Sequence, residues 1–136
     1  KVWEMCALGG FLVGKEVLRY MLPRKRGTIL FTGASASMRG KSGYSAFSGG
    51  KQALRALAQS LAREVGPKGI HISHVIIDGL IENDSTRSLF PEDFDSRPKD
   101  GILQPVEIAE VYWQLYRQPK SAWTFETELR PYSEPF

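Results

Sequence analysis

Residues 27–37, Gly27-Thr-Ile-Leu-Phe-Thr-Gly-Ala-Ser-Ala-Ser37, place a β-branched and aromatic run between two glycines and follow it with a serine-rich stretch. An apolar run from Thr28 to Thr32 without polar alternation is the pattern of a strand buried on both faces of its sheet. The Ser- and Gly-rich residues from Ala34 to Gly43 then read as a loop. Downstream, Phe47, Lys51, Leu54, Leu57, Leu61 and Val65 recur at helical spacing until Gly66-Pro67 stops them. Small residues at Ala53, Ala56 and Ala58 allow a second helix to approach closely. The run Ile70 to Ile77 is again β-rich and ends in Asp78-Gly79. Two strand-loop-helix units in this order imply parallel pairing and an α/β fold.

Upstream, Met5, Leu8, Leu12, Val17, Leu18, Met21 and Leu22 predict one long helix from Val2 to Leu22, closed by Pro23. Downstream, residues 83–104 show no clean period and read as a mobile flap whose apolar side is Leu89, Phe90 and Phe94. Pro105 opens a helix through Arg117, with Pro at the favoured first-turn position. Residues 123–129 alternate apolar and polar, which predicts a half-buried strand near a sheet edge.

Composition restricts the function classes. With 42% hydrophobic and 24% charged residues, the 136-residue chain has the make-up of one globular core. A net charge of +3, with basic residues scattered apart from Arg24-Lys25-Arg26, does not indicate a nucleic-acid surface. The single cysteine, Cys6, forms neither an internal disulfide nor a CxxC metal site, and cytoplasm is the expected compartment. No apolar run approaches the roughly 20 residues that span a bilayer. His71 and His74 lie three apart on a strand, hence on opposite faces, which argues for structural roles and against a shared metal. The chain starts at Lys1 directly in a helical pattern, so it reads as an excerpt of a longer protein.

The succession of strand, serine loop, Tyr44-Ser-Ala-Phe-Ser-Gly-Gly-Lys51 helix and Gly66-Pro-Lys-Gly-Ile-His-Ile72 strand resembles the central stretch of a short-chain dehydrogenase/reductase. The residues Gln104 to Glu110 are similar to the family's short helix before its last strand. The resemblance implies a Rossmann-like, doubly wound parallel sheet, of which residues 1–136 are the second, C-terminal half. It also implies hydride transfer between NAD or NADP and a carbonyl, alcohol or enoyl substrate. The family's glycine-rich phosphate loop belongs to the first half. Gly9, Gly10 and Gly14 sit inside a helical pattern with no strand before them, so they do not supply it. A stretch lacking that half is not expected to bind a dinucleotide by itself.

In that family a Tyr donates the proton and a Lys one turn later lowers its pKa and holds the ribose. Lys51 matches, as catalytic and cofactor-binding residue, but the position four before it is Phe47, which has no proton to give. Tyr44, seven before Lys51, is similar to the wider spacing of the enoyl reductase branch and is the candidate donor. The alternative is a first-turn residue without a chemical role. The usual serine falls on Ala34, leaving Ser35 as the candidate orienting hydroxyl, with Ser37 beside it, against a turn satisfying its own amides. Cys6 stands where an Asn is usual and reads as a small buried hydrophobe. After β-rich Ile77, Gly79 fits the family pattern. The Ile81 backbone and the Asn83 side chain are candidates to meet the nicotinamide amide, and Asp78 replaces a Pro.

Helices 2–22 and 47–65 resemble the pair that forms the family's oligomer interface, which implies a homodimer or homotetramer. The expected partners are the dinucleotide and a small molecule, with no nucleic acid, membrane or metal. Phe47, Ala34 and Cys6 together also admit a catalytically silent dinucleotide-binding sensor or scaffold.

Overall fold

The computed structural model describes residues 1–136, and its frame is a three-stranded parallel sheet in the order β1 (Gly27–Ala34), β2 (Ile70–Ile77), β3 (Glu126–Leu129). Gly27 pairs with Ile70 and runs in register to Ala34 with Ile77, while His74 to Ile77 pair with Glu126 to Leu129. Every residue of β2 is buried, as a central strand covered on both faces requires. β1 bonds a neighbour along one side only.

One face of the sheet carries α1 (Gly9–Arg24) and α2 (Ser45–Val65), which bring Leu18, Leu54 and Ala58 onto Phe31, Ile70 and Ile72. Burying a Leu or Phe of this kind contributes about 1.5–3 kcal/mol. The other face carries α5 (Pro105–Arg117), whose Leu115, Ile108 and Val111 cover Val75, Ile77 and Leu30. This is the two-faced α/β arrangement that the parallel pattern predicts. At the α1–α2 crossing a Cβ on Gly10 would lie 2.4 Å from Leu54 Cδ1, so the helices approach over bare backbone.

Four expectations need correction. The first helix is not uniform: a π-helical turn spans Glu4–Leu8 before α1, and α1 runs past Pro23 to Arg24. Proline is tolerated there because only one backbone bond of the last turn is lost, and Lys25 at φ 50° caps the end. Residues 83–104 are not an irregular flap; they contain α3 (Asp84–Leu89) and α4 (Pro91–Ser96). The last strand is shorter than 123–129, because a 3₁₀ turn at Lys120–Ala122 leads in and pairing begins at Glu126. Tyr44 sits just before α2 as its N-cap residue, at φ −114° and ψ 20°, and not within the helix itself. No helix is long and apolar enough to cross a membrane.

Candidate active site

The carboxyl ends of β1 and β2 open onto a cavity of about 330 Å³ whose wall includes Ser35, Tyr44, Phe47, Asp78, Gly79 and Phe90. In open α/β sheets this is where ligands settle, outside the carboxyl ends of the strands. β1 delivers the chain to a 3₁₀ turn, Ser35–Ser37, in which Ser37 Oγ accepts the Ala34 N–H at 3.0 Å. That bond holds Ser35 at the cavity wall, while Ala34 offers only a methyl group.

Tyr44 enters from the residue preceding α2, where its carbonyl accepts the Ser48 N–H at 2.8 Å. The residue is 43% exposed, and its ring centroid lies 5.5 Å from the Lys41 ammonium. Phe47 follows on the first turn, and the Lys51 ammonium stands 5.8 Å from its ring centroid. Lys51 Nζ donates to the Thr32 carbonyl at 3.0 Å. Two of its three protons remain for a ligand.

Gly79 lies in the cavity wall at φ +155°, and a Cβ there would meet Pro131 Cδ at 2.8 Å. Ile81 and Asn83 are placed apart from this wall. Ile81 bridges to Leu103 in parallel fashion. Asn83 caps α3, its Oδ1 accepting from Thr86 N at 2.9 Å, and its Nδ2 donates to the Ile81 carbonyl at 3.2 Å. Of the apolar side expected for residues 83–104, Phe90 reaches the cavity, Phe94 is buried and Leu89 is 71% exposed.

Sequence reasoning missed how Asp78 is accommodated. Its buried carboxylate accepts from Arg39 Nη2 at 3.2 Å on each oxygen, and Arg130 lies 3.8 Å away. The charge that replaces a proline at the cavity is therefore compensated, and the serine loop is tied to the ends of β2 and β3. Also missed was a chain of polar groups beneath the loop. Arg55 donates to both oxygens of Glu126 at 2.8 and 2.6 Å, and His74 Nδ1 lies 2.9 Å from Glu126 Oε2. The hydrogen bond from Arg55 holds the Glu126 carboxyl below the usual carboxylate range, and burial pushes the His74 imidazole down. No local sequence signal announces these contacts, because the partners are far apart along the chain. The other histidine lies on the opposite layer: His71 stacks on Trp123 at 4.9 Å, with Nε2 3.0 Å from the Thr124 carbonyl. Cys6 is half-buried in the π-helical turn, and its Cβ stands 3.2 Å from where a Gly50 Cβ would be.

The family model described as short chain dehydrogenase matches residues 1–93, from the π-helical turn through β1 and β2 into α4. The chain belongs to the short chain dehydrogenase family. A solved short-chain dehydrogenase from Rhodopseudomonas palustris is 48% identical, with a TM-score of 0.75, over 96% of this chain and 50% of that one. The 3-oxoacyl-[acyl-carrier-protein] reductase FabG of Escherichia coli is 35% identical over 101 residues, 74% of this chain and 39% of that protein. An alcohol dehydrogenase from Thermococcus sibiricus, solved with 5-hydroxy-NADP, shares the fold at 24% identity and a TM-score of 0.78, over 98% of this chain and 53% of that one. The chain thus spans about half the length of these relatives or less. Within this short chain dehydrogenase the cavity lies between the serine loop and α2, with Phe47 standing four residues before Lys51.

Proposed function

We propose that these residues are the C-terminal, substrate-side part of an NAD(P)-dependent oxidoreductase that works on a small or medium carbonyl, alcohol or enoyl group. The observation that carries this is the shared cavity of Ser35, Tyr44 and Gly79 at the carboxyl ends of β1 and β2, with Lys51 beside its Phe47 wall. The residues present suit a nicotinamide dinucleotide: Lys51 keeps two ammonium protons for ribose hydroxyls, and Gly79 leaves bare backbone at the cavity wall. When bound, the nicotinamide ring supplies or accepts hydride. The chain's own contribution is to hold and move a proton at the Tyr44 hydroxyl and to orient the reacting oxygen through Ser35 Oγ. Phe47 and Phe90 line the remaining space with apolar surface that favours an apolar substrate body. Ile81 and Asn83 lie apart from the cavity wall, with the Ile81 carbonyl and the Asn83 amide engaged in the start of α3, and they are left out of the proposed cofactor contacts. The homo-oligomer forms through α1 and α2, and the protein acts in the cytoplasm, which the unpaired Cys6 suits.

Titration of the full-length protein with NADH and NADPH by fluorescence tests the reading. Binding of one of them, weakened at least tenfold in Lys51→Ala, is the expected result; no binding of either sinks the proposal. With a substrate in hand, Tyr44→Phe is expected to lower kcat by about 10²–10⁴-fold, the usual contribution of a positioned acid. A second reading, a silent dinucleotide-binding protein, is favoured by Phe47 and Ala34, which offer no proton and no hydroxyl. It predicts binding that Tyr44→Phe leaves untouched and no turnover of any carbonyl or enoyl compound.

A further inference from the structure

The imidazole of His74 is fully buried, and its Nε2 has no hydrogen-bond partner although Nδ1 is engaged with Glu126. A buried polar atom left in this state is rare and points to an interaction that completes it. The surroundings say which. A Cβ built on Gly33 would lie 2.4 Å from His74 Nε2 and 2.9 Å from Ser37 Oγ, so both atoms border the space that glycine leaves empty in β1. Ser37 is 1% exposed, and its oxygen already accepts the Ala34 N–H, which leaves its proton to give.

We infer that His74 is a positioning residue: with Nδ1–H given to Glu126, its Nε2 accepts a hydrogen bond donated by the Ser37 hydroxyl across the gap above Gly33. This locks the turn that presents Ser35 to the cavity. The chain of contacts then runs from Arg55 on α2 through Glu126 on β3, His74 on β2 and Ser37 in the loop to the backbone of Ala34. The chain links five segments of the fold, α2, β3, β2, the serine turn and the end of β1. The charges facing the ring support a bare Nε2. Burial disfavours a second proton, as do Arg55 and Lys51 of α2, while Glu126 of β3 fixes the first on Nδ1. The Gly33 position follows as a requirement, because any side chain there would fill the meeting place.

The consequence for catalysis rests on the oxidoreductase reading, whereas the hydrogen bond and the locked turn do not. Both are tested on the full-length protein by nitrogen-15 NMR of the histidine side chains and by amide hydrogen exchange at Ala34. The expected spectrum has the His74 proton on Nδ1 and an Nε2 resonance displaced by hydrogen bonding. Ser37→Ala moves Nε2 to the value of a free acceptor, leaves Nδ1 in place and accelerates exchange at Ala34. His74→Gln, whose amide oxygen replaces Nε2, keeps Ala34 protected, and His74→Asn, which reaches only Glu126, does not. The inference is overturned if Ser37→Ala leaves the Nε2 resonance unmoved, or if wild-type His74 carries its proton on Nε2. In the same samples kcat falls with Ser37→Ala while dinucleotide affinity holds. Failure of the wild type to bind a dinucleotide would remove the activity reading and leave the spectroscopic answer intact.

Discussion

Phe47 puts an apolar ring on the cavity wall one turn before Lys51, at the position that the family resemblance reads as substituted for a tyrosine. Sequence made that substitution plain, and it also pointed to Tyr44 and Ser35, which do line one cavity. What stayed hidden were charges whose partners come from distant segments, since neither spacing nor hydropathy encodes which carboxylate an arginine meets. Asp78 is the clearest case. Replacing it with Ala leaves Arg39 and Arg130 facing each other without their common acceptor. With Arg39 half in solvent, a loss of about 1–3 kcal/mol is expected in urea unfolding of the full-length protein. The His74–Glu126 pair makes stability depend on pH in a definite direction. Both groups bind a proton less readily in the folded chain than in the unfolded one. The stability they add is therefore complete above about pH 6.5 and declines on acidification. The decline begins as unfolded histidine takes its proton and continues below about pH 4.5 as Glu126 does. Thermal midpoints measured from pH 8 to pH 4 should fall accordingly, and Glu126→Gln should flatten the acid limb.

Elements were legible where they were long. α2 and β2 follow directly from the recurrence of Leu54, Leu57 and Leu61 and from the run after Ile70. α3 and α4 escaped because six residues complete too few turns to show a period. Their capping chemistry was nevertheless written in the sequence: Asn83 before Asp84 and Thr86 is an N-cap, and Pro91 followed by Glu92 and Asp93 is a first turn. The π-helical turn had no such signal. The α1–α2 layer carries much of the core, so Leu54→Ala, at a site 5% exposed, is expected to cost about 2–5 kcal/mol in denaturant unfolding. The outer side of the same layer leaves Trp3, Met5, Phe11, Leu12 and Val13 in solvent. If that face joins copies of the protein, Phe11→Lys with Leu12→Lys should convert the oligomer to monomer in sedimentation velocity with the far-ultraviolet dichroism unchanged.

At the scale of the molecule, the order strand, helix, strand was sufficient to predict a parallel sheet covered on both faces, and the register bears this out. The short chain dehydrogenase family was likewise legible, since its motifs follow one another over most of the chain. The substrate was not, because it depends on cavity walls built from separate segments. β1, apolar and hydrogen-bonded along one side only, presents an open row of backbone groups. Residues 1–136 prepared alone should associate open-endedly through this edge as concentration rises, detectable by light scattering, and a longer chain that pairs the edge should not associate through it. The parallel sheet also governs time. Gly27 must find Ile70 across α2, and Ile77 must find Leu129 across α3, α4 and α5, so no strand pair can form from neighbours in sequence. Folding then waits on the closure of long loops, which is slow compared with helix formation. During synthesis β1 emerges well before its partner β2, so the strand that later frames the cavity waits unpaired on that side until α2 and β2 have followed.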